Sequence, residues 1–553
     1  MKLCRLVVLI GAAGLPHHAT AGGLFLPGVG AVSTARAGAA VASADDGEAL
    51  TINPAGIAKA SGNTITISAS MLQYAMQFQR RGTYDDVPMA NYPYAGQPYA
   101  LEKNDASPPF GVGSFQPLPV LAFLTDLGGR VPGLHLGVGL FVPQAYPFRD
   151  MCTEIAGDCQ KYVFNDDPNT PSPGARYDIM KQEAAVLLPS LAVAYRVLPT
   201  LDVGVRLSAG QATLKSTTAL WATIAPNYEE DVQKDGVFSI DAKDSFVPGF
   251  GIGVTFRPTS NIELGANYTS ELDLHTKGTA TSQLGPEAGL PGFQVAIGPV
   301  SDADALCATG GTMDALKSCV DFALPMTAQV GGRFKFLDEA GGLKGDVELD
   351  LDWENWGKSC AATDFNAGTC VTPGDYRVVV DAQPLLAGQP SGLTLKPSVV
   401  RHGLRDTYGV RVGGSYHIPV GAPRDGGGSN EVILRGGVGY DTAAARTGWL
   451  RADLDEAART TIALGAAYRA RRFEVSLGGG AILEGSPKNP NVGGGASPCN
   501  PTTTAPGCGG SEHQGPDPIN PLIGADLQVE NPVNQGDFKA HYLMFMLGVT
   551  TWF

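Results

Sequence analysis

Long apolar runs are missing from this 553-residue chain after its first two dozen residues. No later segment has the roughly 18 uninterrupted apolar residues of a membrane helix. Basic residues are also scarce, 39 Lys and Arg against 54 Asp and Glu. The net charge of −15 excludes a phosphate-binding face, so no nucleic-acid partner is expected. The chain has no GxSxG and no HExxH, and its eight histidines include two near the N-terminus. Hydrolase and metalloprotease chemistry therefore has no motif to stand on. "GVGAVS" (28 to 33) lacks the third glycine of a dinucleotide fingerprint and opens no βαβ unit, and no Walker motif occurs.

The one apolar stretch lies at the start. Lys2 and Arg5 precede "LVVLIGAAGL", and Ala19-Thr20-Ala21 places small residues around a cut, so residues 1–21 read as a secretory signal with Gly22 as the mature N-terminus. An exported chain without membrane helices is either soluble or a barrel, the other structure that satisfies its backbone inside lipid. Cysteine usage agrees with export. Cys4 lies in the signal, and the other eight fall as close couples: Cys152 with Cys159, Cys307 with Cys319, Cys360 with Cys370, Cys499 with Cys508. None has CxxC spacing or a histidine at a ligand interval, so four local disulfides are expected and no metal.

Gly and Pro number 72 and 40, and they are dispersed, which signals many turns. Between them the hydrophobicity alternates with period two. In "NTITISASM" (63 to 71), Ile65, Ile67, Ala69 and Met71 oppose Thr64, Thr66, Ser68 and Ser70. In "DVELDLDWE" (346 to 354), Val347, Leu349, Leu351 and Trp353 oppose Glu348, Asp350, Asp352 and Glu354. Fourteen such segments are expected, near 63–79, 114–126, 133–146, 182–197, 200–215, 236–258, 260–282, 321–337, 343–357, 404–418, 429–445, 457–469, 471–486 and 537–553.

Short and long connections alternate along the chain, as in an up-and-down outer-membrane barrel with tight periplasmic turns and long external loops. All four cysteine couples fall in connections on the long side, where local staples would stabilise exposed excursions. The chain ends "HYLMFMLGVTTWF", with Phe545, Leu547, Val549, Thr551 and Phe553 on one face. A terminal strand ending in Phe resembles the recognition signal read by the barrel-assembly machinery, so Phe553 is expected to engage it. The fold class is thus all-β, a transmembrane antiparallel up-and-down barrel of about 14 strands in the bacterial outer membrane, in contact with its lipid and lipopolysaccharide, and monomeric.

The inward face is mixed. The ninth segment turns four carboxylates inward, with Arg206, Arg333 and Lys335 as inward cations. Either a salt-bridged interior holding a plug or a calcium site would use such a set, and the strand-like spacing favours the plug. The last segment turns Tyr542, Met544, Met546 and Trp552 inward, which suits an apolar ligand pocket or packing against a plug. In the loop after the fifth segment, Leu220, Trp221 and Ile224 either pack locally or form a capture surface. After the seventh, Leu306, Met313 and Leu316 have a short helical spacing that reads as local packing.

Residues 22–62 are not strand-like. Within them "GVGAVSTARAGAAVASADDGEALTINPAG" resembles the N-terminal plug of the FadL/TodX family of outer-membrane transporters for long-chain fatty acids and other hydrophobic compounds. The matching positions are Gly38-Ala39, Ala44-Asp45-Asp46 and Asn53-Pro54-Ala55. Tyr268, Ser270, Glu271 and Gly278, together with "LPM" (324 to 326), "DWENW" (352 to 356) and "RGGVGYD" (435 to 441), fit the same family. The resemblance implies three segments: signal 1–21, hatch 22–62 and barrel 63–553. It implies passive uptake of a hydrophobic small molecule without a cofactor, with Asp45, Asp46, Asn53, Pro54 and Ala55 as hatch positions. It also implies that the Gly22 amine lies near a ligand carboxylate and that ligand leaves sideways where a strand kinks. Gly137, Gly139 and Pro143 are the candidates for that opening, because Gly and Pro weaken ladder pairing. A porin or adhesin with stapled loops, or an outer-membrane lipase, are the competing readings.

Overall fold

The computed structural model describes residues 23–80, 82–84, 92–152, 171–220, 232–290, 293–360, 364, 370–400, 402–421, 429–445, 451–454, 457–485 and 536–553. Fourteen antiparallel strands close into one barrel. In chain order they are β1 (Asn63–Arg80), β2 (Gln116–Thr125), β3 (Leu134–Phe141), β4 (Lys181–Leu198), β5 (Leu201–Leu220) and β6 (Gly236–Phe256). Then come β7 (Ile262–Thr269, resuming as Leu272–Leu284), β8 (Leu316–Leu324, resuming as Thr327–Leu337) and β9 (Leu343–Glu354). The last are β10 (Thr407–Val420), β11 (Asn430–Asp441), β12 (Arg459–Arg469), β13 (Phe473–Glu484) and β14 (Gly536–Trp552). Closure is made by β1 on β14, in register from Thr64 with Trp552 to Arg80 with Gly536.

Period two sorts the side chains. Outward residues form an apolar band: Ile67, Leu207, Leu464 and Phe545 are each more than half exposed, and Val347, Leu349 and Leu351 stand with them. Inward partners such as Thr64, Thr66, Ser68, Ser70, Glu348 and Asp350 are buried. A barrel is the arrangement in which such strands leave no unpaired edge in lipid.

Three sequence expectations need correction. The third strand stops at Phe141 instead of reaching 146, because residues 142–148 leave the ladder. The eighth begins at Leu316, so Cys319 lies in a strand and not in the loop before it. An additional strand, Tyr376–Leu386, occupies the expected loop between β9 and β10 and pairs with the outer half of β8. That strand also changes the fate of the "ADALCATGGTMDALKSC" loop. Asp381 on it accepts the backbone N–H groups of Leu306 (2.7 Å), Cys307 (2.8 Å) and Ala308 (3.1 Å), so the loop is pinned open. Leu306 and Met313 are exposed, and only Leu316 is buried.

The disulfides Cys307–Cys319 and Cys360–Cys370 are formed. Cys152 is disulfide-bonded. Cys159, Cys499 and Cys508 lie outside the described residues, as do Gly22, Trp221 and Ile224.

Candidate functional site: a hatched lumen with a broken wall

The barrel's bore is filled by the N-terminal segment. It is nearly all coil, with two single-turn helices, Val32–Ala35 and Ala49–Ile52, and a 3-10 turn, Pro54–Lys59. A segment this irregular has many unpaired backbone groups, and inside a protein each needs a partner. The carboxylates of β9 supply them. Asp350 accepts from Ala40 N (2.7 Å) and Val41 N (2.9 Å), and Glu348 accepts from Ala42 N (2.6 Å) and Ser43 N (3.2 Å). Arg36 extends from the hatch to Asp346 (3.0 Å) and Glu348 (2.8 Å), with all three side chains buried. The inward acids therefore hold a plug. Among the described residues no cluster is arranged to hold a metal ion.

Within the hatch Glu48 acts as the hub. It accepts from Val32 N (2.9 Å), Ser33 N (2.8 Å) and Ser33 Oγ (2.8 Å), and Ser68 Oγ on β1 reaches it at 3.2 Å. Burial pushes its carboxyl up from the ordinary range, against the pull of those donors. Asp46 caps the next turn by accepting from Glu48 N at 2.9 Å, and burial beside Glu48 raises its carboxyl strongly. Asp45 is exposed.

Asn53 is fully buried. Its Nδ2 donates to Val41 O in the hatch (2.8 Å) and Val254 O on β6 (3.1 Å), while its Oδ1 accepts from Ala55 N (3.1 Å). An amide presents two donors and an acceptor at once, so one side chain ties hatch to hatch and hatch to wall. Pro54 and Ala55 press on β5 at Gly204, where a Cβ would fall on their backbone, and Asn53 and Pro54 press on β6 at Gly253, where a Cβ would meet the Asn53 Oδ1 and the proline ring.

Above the hatch lie three neighbouring cavities that share wall residues. The one against the hatch is bounded by Phe25, Leu26, Phe141, Pro143, Arg206 and Glu354 among others. It shares Phe25, Val142 and Pro143 with a second, whose walls are mostly aliphatic. That one shares Gln182, Leu214, Val320 and Tyr376 with an outer cavity, where Leu220 lies. Met544 and Met546 line none of these. They are buried in the cluster that contains Leu26, Ala31 and Ala35 of the hatch.

Arg206 differs from Arg411, the other arginine that lines this cavity. It is 4% exposed, its Nη1 donates to Leu50 O (3.1 Å) and Thr51 O (3.2 Å), and its Nε has no partner. Its guanidinium sits 5.0 Å from the Phe141 ring. Among the described residues no carboxylate pairs with it, whereas Arg333 has Glu263 and Asp346, and Arg411 has Asp352 and Asp441.

The wall beside this cavity is broken. β3 pairs with β2 only as far as Phe141 on Val120, and the chain rejoins β4 at Arg149 on Gln182. Between them, "VPQAYPF" (142 to 148) contains two prolines that cannot donate to a ladder. Gln144 turns inward instead: its carbonyl accepts from Leu26 N of the hatch (2.7 Å) and its Oε1 from Ser70 Oγ (3.1 Å). Pro143 lies in the break, whereas Gly137 and Gly139 lie in continuous ladder below it, where Leu50 of the hatch comes close. A second interruption, between β6 and β7, is stitched shut. Ser270 Oγ accepts from Phe250 N (2.9 Å), Ser270 N donates to Phe250 O (2.9 Å), and Asp244 accepts from His275 N (2.8 Å).

Fold and site together define a plugged outer-membrane β-barrel with an internal apolar passage. The sequence profile of the outer membrane protein transport protein family (OMPP1/FadL/TodX) matches residues 13–477, and the chain belongs to this family. It is therefore an outer-membrane protein of the hydrophobic-compound transporters. Solved structures share the fold at low identity. A FadL homologue of Pseudomonas aeruginosa is 14% identical with TM-score 0.62, the match covering 96% of this chain and 100% of that one. The toluene transporter TodX of P. putida is 14% identical with TM-score 0.55, covering 96% and 99%. The Ralstonia pickettii toluene transporter TbuX is 14% identical with TM-score 0.51, again covering 96% and 99%. No curated protein matches the chain in sequence.

Proposed function

We propose that the protein takes up long-chain amphiphiles carrying a carboxylate, of the fatty-acid type, and releases them sideways into the membrane. The observation that carries the ligand class is Arg206, a buried cation facing the inner cavity with no acidic partner among the described residues. An unpaired buried charge is costly, and a ligand carboxylate is the group that relieves it. Leu220 and the outer cavity receive the chain, the aliphatic second cavity carries it, and Arg206 holds the head. Each methylene moved from water to such walls contributes roughly 0.8 kcal/mol, which drives transfer without a nucleotide. The break at 142–148, with Pro143 inside it, is the exit.

Binding of a long-chain carboxylate and of its uncharged methyl ester to the purified barrel tests this. The wild type is expected to prefer the acid, and Arg206→Gln to weaken the acid by about 10- to 100-fold, the value of a charged hydrogen bond, while leaving the ester unchanged. Equal affinity for both in the wild type, or preference for a neutral aromatic such as toluene, overturns the assignment.

A further inference from the structure

We propose that the hairpin tip formed by residues 106–115 is embedded in the acyl region of the outer leaflet, as a second lipid-contacting element beside the barrel wall. The segment, "ASPPFGVGSF", contains no charged residue. Phe110 is 97% exposed and Val112 is 69% exposed, the largest apolar exposures in this part of the chain.

The tip is held rigidly in that posture. Gly111 N donates to Pro108 O (3.0 Å), and Val112 and Phe115 exchange both backbone bonds (3.0 and 3.2 Å). Phe110 itself has φ of 61°, a left-handed conformation that a bulky residue adopts at a cost. A chain that bends this way to hold a phenyl ring away from its own body, in water, would gain nothing from it. In hydrocarbon the ring is stabilised.

Its surroundings identify the solvent. At the base of the tip, Phe115 packs on Phe545 with ring centroids 5.4 Å apart, and Phe545 is one of the lipid-facing residues of β14. Ser114 Oγ accepts from Gln73 Nε2 on the outward face of β1 at 2.8 Å. Gln73 is in register with Leu543, and the next outward positions on β14 are His541 and Lys539. The hairpin thus emerges at the outer margin of the apolar band and continues that surface. Its Ser114 carbonyl also accepts from Tyr146 OH (2.9 Å), within the broken stretch of wall, so the tip anchors that rim.

The test is spin-label accessibility in the full-length, disulfide-intact protein reconstituted in phosphatidylcholine vesicles. Phe110→Cys and Val112→Cys each carry a nitroxide, and Glu339→Cys in an exposed turn is the water control. Folding of each is verified by heat-modifiable mobility. At positions 110 and 112, collisions with oxygen are expected to exceed those with a nickel chelate present on both sides of the bilayer, with the order reversed at 339. Nickel collisions at 110 and 112 as frequent as at 339 would overturn the proposal and assign the tip to water or to a protein partner.

Discussion

Asn53 shows how one side chain can secure a segment with little regular structure of its own. Its amide bonds the hatch to itself and to β6 from a fully buried position, and no other residue type offers that combination in that volume. Asn53→Ala leaves the Val41 carbonyl without a donor and the Ala55 N–H without an acceptor, and is expected to destabilise the docked hatch by about 3 kcal/mol. Single-channel recording should then show frequent openings that the wild type lacks; a silent variant would mean that the hatch is held elsewhere. The motif around Asn53 was legible because its residues are adjacent in sequence. The Arg36 contacts were not, since its partner Asp346 is 310 residues away and only the closed barrel brings them together.

At the scale of elements, the decisive feature is the premature end of β3. Alternation runs on through Val142, so periodicity alone carries the strand to 146, yet two prolines and the inward pull on Gln144 by Leu26 and Ser70 take the chain out of the ladder. The glycines at 137 and 139 serve a different purpose, admitting Leu50 against the wall. Extending the observed register of Val120 on Phe141 would set Leu118 opposite Pro143. A Leu118→Cys, Pro143→Cys pair should therefore close the break when oxidised. Ligand binding is expected to survive oxidation while vesicle uptake falls, and reduction should restore uptake. Unimpaired uptake by the oxidised form would remove this break from the route.

Across the whole molecule, the outer cap is tied together by buried carboxylates that meet cations and backbone N–H groups of loops distant in sequence. Arg451 joins Asp178 (2.5 Å) and Asp453 (3.3 Å), His402 Nε2 meets Asp453 at 3.0 Å, and Glu102 accepts from Gly174 N and Ala175 N. Burial pushes the carboxyl of Glu102 up to about 7 and that of Asp178 up to about 6, while His402 and Arg451 hold Asp453 well below the usual range. Raised carboxyls favour folding in their protonated form, so their contribution is full at pH 4 and is lost as pH rises through 6 to 7. Asp453 works in the opposite sense, and its contribution persists across that window. Amide exchange in residues 171–180, corrected for intrinsic rate, should accordingly accelerate between pH 5 and 8, and Glu102→Gln should flatten the change. Protection that rises with pH would contradict this balance.

The sequence by itself determined the class: alternation, turn spacing, a non-strand segment ahead of the strands and the Asn-Pro-Ala motif are local patterns, and each follows from the geometry of neighbouring residues. Most strand positions were readable for that reason. Which inward charges find partners, where the wall parts and which side of the hatch each carboxylate serves were settled only by closure. Arg206 and Arg333 look alike in sequence, two arginines on inward strand positions. The barrel places one beside Asp346 and Glu263 and leaves the other facing a cavity, because pairing depends on distances that exist only once the strands have met around the plug.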